Sequence, residues 1–569
     1  MIKHLAKVGS LFSRPGRGVY HDVKARLPYY VSDWTDGLNY RVVPATVFMY
    51  FANLLPTIAF AQDLFDRTDN AYGVNEVLLG SAMGGIVFGL FAGQPLCVVG
   101  VTGPIAIFNY TVYEIMTPRG TPYFPFMAWV CLWSMVMHII IALFNWVNLM
   151  RYVTRYACDI FGFFICFVYI QKGIQLLTRQ FDHGTTDEGY LSVVVALCVM
   201  IFGMLWQLIG QHSHLFWGPI RTFFADYGTP LTVVFFSGFV HFGHRLGSTT
   251  LQNLPTGGAF TPTTTMGGRE HGWFIHFWEI SVADVFLAIP FAILLTVLFY
   301  FDHNVSSLIC QGSEFPLKKP ASFHWDFLLL GITTGVAGIL GIPPPNGLIP
   351  QAPLHTMSLC VTKTRVVGPP DHPIVEKYVD SVVEQRVSNF AQGLLILGTM
   401  SGPLLTVLGL VPQGVLAGQF WIMGITGLMG NAITSNLRFI FTEKKFYSPR
   451  DPLQKVQKWW LYLYVLLELI AFGAEFGITQ TVAAVGFPGV LMASLLIGWL
   501  MPFFFPKSDI EILDGPQADE FILKNLSFDD NDNNGKHNSD ENTVRPTSSI
   551  ESYRSAEEGL RRRHSKSFE

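Results

Sequence analysis

One carboxylate and two broken apolar segments hold most of the chemistry this sequence offers. Asp302 stands in LFYFDHNVSSL at 298–308, directly after a long and nearly apolar run. A charge at membrane depth is costly and is usually functional; the competing reading is a carboxylate that merely ends a helix at the membrane interface. The first broken segment, at 95–116, reads PLCVVGVTGPIAIFNYTVYEIM. Its β-branched start is strand-like. Thr102-Gly103-Pro104 then supplies a cap residue and a proline in the first turn of a helix too short to cross a membrane. The second, GIPPPNGLIPQAPLHTMSLCV at 341–361, carries prolines that forbid a continuous helix. A half-helix can begin in it near Gln351. Free N–H groups and the positive dipole end of such helix starts attract an anion or a polar solute. Ordinary proline-kinked helices are the bland alternative for both segments.

Bond-making chemistry has no comparable support. There is no nucleophile elbow, phosphate loop or metal-ligand spacing, so neither an enzyme nor an ATP-driven pump is indicated, and no metal or cofactor is expected. The seven cysteines include no CxxC pair and read as small buried hydrophobes. His303 reads as a surface residue, with coupling to pH as the alternative; His138, His241 and His244 read as satisfied bundle residues. Asp159, Lys172 and Asp284 fall near span ends, and packing accounts for Glu468 and Glu475. The sequon at Asn304 lies at membrane depth or on the cytoplasmic side and is expected to stay unmodified.

The elements that must position Asp302 and the half-helices are membrane helices. Half of the 569 residues are hydrophobic and only 14% are charged, against roughly 25% in soluble chains. Phe (48) and Gly (53) are abundant, suiting a lipid-facing surface and close helix packing. The net charge of −4 suggests no nucleic-acid partner. With about 20 apolar residues per crossing, candidate spans are 42–62, 77–93, 123–146, 157–174, 190–210, 229–243, 281–302, 324–341, 386–402, 404–431, 459–473 and 479–501. The broken segments, third and tenth in order, complete fourteen elements. They lie seven apart, so seven crossings per half invert the second half. Interrupted segments at matching positions of two halves point to a transporter site.

Loop charge supports this count. Seven Lys and Arg precede Val42, and others fall at Arg151, Arg155, Arg221, Lys318, Lys319, Lys363, Arg365, Lys377, Arg386 and 438–458. The opposite side holds only Arg67, Arg119, Arg179, Arg245 and Arg269. The positive-inside rule then puts both termini in the cytoplasm. The expected organisation is a cytoplasmic segment 1–41, a first repeat 42–246, an extracellular loop 247–280, a second repeat 281–506 and a disordered tail 507–569. Ser565 and Ser567, beside Arg561–Arg563, are possible phosphorylation sites; a plain solvated tail is the alternative.

Five phrases, YFANLLPTIAF at 50–60, GQPLCVVGVTGPIAIF at 93–108, FYFDHNVSS at 299–307, GIPPPNGLIPQAPLHTMSL at 341–359 and EQRVSNFAQGLL at 384–395, resemble the anion-exchanger and bicarbonate-transporter family, above all its fungal and plant borate exporters. The resemblance covers about residues 30–505. It implies an all-α polytopic membrane protein with a seven-plus-seven inverted repeat. Elements 1–4 and 8–11 form a core domain; elements 5–7 and 12–14 form a gate domain and a homodimer contact. It implies a site between the half-helices, with Asp302 as its acidic residue. The expected substrate-binding set is Asp302, Gln351, Thr102, Gly103, Pro104, Asn346 and Asn53. Animal chloride–bicarbonate exchangers carry an Arg on the tenth element, where this chain has Gln351, a departure that favours a weakly charged, hydroxyl-rich substrate. The expectation is a plasma-membrane exporter of borate or boric acid, with protons as a candidate coupling ion and an endosomal or vacuolar membrane as a second location. Two readings stay beside it: a bicarbonate or other small-anion transporter on the same fold, and a non-transporting trafficking scaffold.

Overall fold

A computed structural model describes residues 15–211, 213, 215–242, 257–264, 269–270, 272–367, 374–447, 451–481, 483–515, 518–523 and 526. Ser565, Ser567, His244 and Arg245 lie outside the described residues. Two short helices, α1 (Arg17–Arg26) and α2 (Tyr30–Thr35), precede the first repeat. That repeat comprises α3 (Val42–Arg67), α4 (Val74–Phe91), β1 (Val99–Gly100), α5 (Gly103–Met116), α6 (Tyr123–Leu143), α7 (Arg155–His183), α8 (Thr186–Gln211) and α9 (Gly218–Phe239). The second begins with α10 (Val282–Ile309), α11 (His324–Ile339), β2 (Asn346–Gly347) and α12 (Gln351–Ser358). A hairpin of β3 (Cys360–Val367) and β4 (Ile374–Val382) follows, then α13 (Val387–Thr399), α14 (Gly402–Gly409), α15 (Gln413–Gly430), α16 (Ala432–Phe441), α17 (Lys458–Thr479) and α18 (Phe487–Leu500).

Eight of the described helices, α3, α4, α6, α7, α8, α10, α17 and one that includes α18, are long and apolar enough to cross a membrane; α13 and α14, bent 84° apart, pass as a ninth. The other described helices do not meet both conditions, although α9 has 22 residues and α15 has 18. The repeat is visible in reciprocal packing: α4 lies on α13 while α11 lies on α6, and α3 touches α13 while α10 touches α6. Glycine lets these pairs approach closely. A Cβ on Gly85 or Gly89 of α4 would strike the backbone of Gly393 or Phe390 in α13. On α11, a Cβ on Gly331, Gly335 or Gly338 would strike the side chain of His138, Met135 or Cys131 of α6. The helices α7, α8, α9, α15, α17 and α18 pack among themselves as a second body.

Several boundaries depart from expectation. Asp302 does not end its helix: α10 runs on to Ile309, so Asp302 and His303 are buried. His303 is therefore no surface residue; its ring lies edge-on to Phe88 at 5.3 Å. The polar string DHN reads as an interface, but it faces protein rather than lipid. Pro403 and Pro412 divide the eleventh and twelfth elements into three helices, each proline setting a helix start. Residues 360–367 and 374–382, expected as loop, pair as antiparallel strands.

The tail also differs. Lys507–Leu513 forms a helix, α19. Its Ile510 and Leu513 are buried against Tyr156, Leu461 and Tyr464. Carboxylates in it and just after it cap two helices from outside: Asp514, the residue after α19, accepts from the Tyr156 amide at 2.8 Å, at the start of α7, and Asp509 accepts from the Gln457 amide at 3.2 Å, just before α17. Seven residues carry too little periodicity to be seen in sequence. Truncation before Lys507 is therefore expected to lower thermal stability, each lost cap costing about 0.5–2 kcal/mol. Truncation after Leu526 should leave the melting curve of the purified protein unchanged. Equal stability of the two truncated proteins would contradict this.

Candidate substrate site

The two broken segments meet. β1 pairs antiparallel with β2, Val99 opposite Gly347 and Gly100 opposite Asn346, and the Leu348 amide donates to the Val98 carbonyl at 3.0 Å. Each strand then feeds a half-helix. Thr102 caps α5, its hydroxyl accepting from the Ile105 amide at 3.5 Å, with Pro104 in the first turn. The second half-helix, α12, begins at Gln351, as its sequence suggests. Glycine is required where α10 crosses β2, because a Cβ on Gly347 would stand 2.9 Å from both His303 Cα and Ser306 Cβ. Gly347→Ala is expected to push β2 off α10 and cost about 1–3 kcal/mol, measured by thermal unfolding of the purified protein. Unchanged unfolding would show that the crossing is looser than described.

A cavity of about 10 Å³, measured to the centre of a water-sized sphere, lies between these starts. That is room for roughly one water. Thr102, Gly103 and Pro104 line it from α5, Asp302 from α10, and residues 347–350 from the turn before α12. Its opposite wall is Ile165 and Tyr169 of α7. Asp302 accepts a hydrogen bond from Asn346 Nδ2 at 3.1 Å; Asn346 in turn accepts from the Gly347 amide at 2.8 Å. Gln351 is wholly buried. Its Nε2 donates to the Tyr169 hydroxyl at 3.2 Å and, at 3.4 Å, to the Ala52 carbonyl. Its Oε1 has no hydrogen-bond partner among the described residues, leaving a buried acceptor open.

The expected residues therefore separate into three groups. Thr102, Gly103, Pro104 and Asp302 form cavity wall; Asn346 and Gln351 stand directly behind it. Asn53 does not reach it. It donates to Gln392 at 3.1 Å and accepts from Thr57 at 3.3 Å, and Gln392 bonds Asn389, which holds the Pro95 and Cys97 carbonyls. Asn53 thus braces β1 from behind. His355 does similar work, bonding Leu96 O and Ser388 Oγ at 2.8 and 2.7 Å. Tyr169 and Ile165 were missed in sequence. Their i, i+4 spacing, continued at Lys172 and Leu176, marks an inward face of α7, but nothing in sequence says that this face meets the half-helices. Of the other singled-out groups, His138 bonds the Ser134 carbonyl at 2.7 Å, Glu475 accepts from Ser494 at 2.8 Å, and Asn304 is buried within α10.

The wall is rich in acceptors and poor in positive charge. Asp302 has no ion-pair partner among the described residues, and behind the wall Gln351 Oε1 is a second acceptor without a hydrogen-bond partner among them. Comparison with known proteins gives this site its context. The family model of the HCO3- transporter integral membrane domain matches residues 14–190 and 178–518. The chain belongs to the HCO3- transporter family. Boron transporter 1 of Saccharomyces cerevisiae is 53% identical over 519 residues, covering 90% of this chain and 88% of that protein. Boron transporter 4 of Arabidopsis thaliana is 27% identical, covering 89% and 87%. Human band 3 anion transport protein is 27% identical over 90% of this chain, which spans 57% of it. Among solved structures, the transmembrane domain of the cyanobacterial bicarbonate transporter BicA aligns over 81% of this chain and 98% of its own, at 13% identity and a TM-score of 0.46. As a HCO3- transporter family member, the chain is a multi-pass membrane transporter.

Proposed function

We propose that this protein exports borate or boric acid across the plasma membrane as a secondary active transporter. The observation that carries the proposal is an acceptor in the cavity wall, Asp302, with an unpartnered acceptor just behind it, Gln351 Oε1, between two half-helix starts. Boric acid and its four-hydroxyl anion are hydroxyl-rich donors. Their O–H groups suit Asp302 and Gln351, and the anion's charge suits the helix N-termini. Chloride has no donor to offer and would find no cationic side chain. The boron transporters among the relatives support the same reading.

The cavity is smaller than a four-oxygen anion, so loading requires the walls to part. The parting line runs between the half-helix body and α7. We place both termini in the cytoplasm on the loop-charge asymmetry and take the homodimer contact from the family pattern. An ionised Asp302 repels the borate anion, so Asp302 takes up a proton as the anion binds or accepts bonds from neutral boric acid; either route makes export depend on pH. Cells loaded with boric acid and washed should lose boron faster when they carry the protein at their surface. Equal loss with and without it would overturn the export reading.

A further inference from the structure

The seam between α3 and α7 runs from the candidate site to the protein face farther from the N-terminus, and it closes in two layers. The inner layer is aromatic. Phe60 of α3, Tyr169 of α7 and Phe420 of α15 form a triangle, with ring centres 6.1, 5.5 and 5.4 Å apart. The outer layer is ionic. Asp63, one turn beyond Phe60 and only 3% exposed, pairs with Lys172 and, at 2.5 Å, with Arg179. Arg179 also holds Asp66 at 3.1 Å. Ile165, Tyr169, Lys172 and Arg179 fall at i, i+4, i+7 and i+14 on α7. Ala52, Pro56, Asp63 and Asp66 fall at i, i+4, i+11 and i+14 on α3. Each set shares one helix face. On α7 the side chains that wall the cavity, Ile165 and Tyr169, and those that tie the far end, Lys172 and Arg179, therefore ride on one helix; α3 carries the carboxylates of the tie at one end and, nearer the site, the Ala52 carbonyl that accepts from Gln351.

We infer that Asp63, Asp66, Lys172 and Arg179 form the outer gate of the solute path, an ion-pair lock between the two bodies that parts whenever the site opens to the outside. This rests on the proposed export direction and topology. The placement suits the task. Two carboxylates face two cations, so the closed lock carries no net charge, and its buried member, Asp63, is held by both cations. Breaking a buried pair is expensive, whereas exposed pairs re-hydrate cheaply. The lock is thus tight at Asp63 and easily started at the half-exposed Asp66–Arg179 end. When it parts, Lys172 and Arg179 turn free positive charge toward a leaving anion. A neighbouring pair shows the contrast: Arg67 and Glu114 also pair at this face, but they join α3 to α5 within one body and need not separate.

The test is a cysteine pair, Asp66→Cys with Arg179→Cys, joined by a short reducible bis-thiosulfonate. Crosslinking should cut borate export at least about tenfold relative to the same protein uncrosslinked, and reductant should restore it. The control pair Arg67→Cys with Glu114→Cys should export equally in both states. Export that continues through the crosslinked lock would overturn the inference. A second measurement needs no borate flux and so stands apart from the substrate proposal. Ile165→Cys is labelled from outside with an impermeant thiol reagent, and the protein with Ile165 intact gives the background. Asp63→Asn should raise that labelling at least about tenfold. Unchanged labelling in folded Asp63→Asn protein would show that these ion pairs do not close the site.

Discussion

Asp302→Asn is expected to cut borate export by roughly ten- to a hundredfold at equal surface expression. The substitution keeps size and shape, so the packing of α10 on β2 should survive. Its hydrogen-bonding character does not. Asn346 Nδ2 already donates to residue 302, so the new amide must turn its oxygen to Asn346. Its NH2 then faces the cavity wall where an acceptor stood. A hydrogen bond to a charged group is worth about 1.5–3 kcal/mol, or roughly ten- to a hundredfold in rate for each one lost. The amide cannot take up or release a proton, so residual export should lose its pH dependence. Unchanged efflux across a pH range would remove Asp302 from the site.

The second large effect is expected at Gln351. Gln351→Arg places a permanent positive charge at the start of α12, where the helix dipole is already positive. The guanidinium has no acceptor, so the open Oε1 is lost, and an ionised Asp302 can pair with it. Borate export should fall at least about tenfold, its pH dependence should flatten, and chloride or bicarbonate binding should appear. The competing outcome is simple misfolding, because the side chain is buried. Thermal stability measured beside flux separates the two. A stable variant with native borate flux and native pH dependence would show that Gln351 does not act on the solute.

Much of the architecture is legible in the sequence, and the failures have physical causes. The half-helices announce themselves through Thr102-Gly103-Pro104 and the prolines before Gln351, because proline and glycine act locally. Their mutual pairing through β1 and β2 is non-local, and only their matching positions hint at it. Asp302 reads as a site residue, yet the end of its helix is misplaced: hydropathy cannot distinguish an aqueous interface from a polar protein interior. The same blindness puts His303 on the surface. Asn53 reads as a binding residue because it lies in a distinctive phrase, but its partners Gln392 and Thr57 make it a brace. Tyr169 is invisible for the opposite reason. It is an ordinary aromatic on an apolar helix, and only the approach of α7 to α12 gives it a role. The helix after Lys507 escapes notice because its carboxylates cap helices distant in sequence.

The central claim is that acceptors between two half-helix starts select a hydroxyl-rich boron solute. The purified protein in liposomes tests it most directly, with initial fluxes of borate, bicarbonate and chloride measured under the same gradient and pH. The site described here predicts borate flux well above protein-free liposomes, with chloride at background and bicarbonate below borate. Chloride or bicarbonate flux equal to or above that of borate would contradict it.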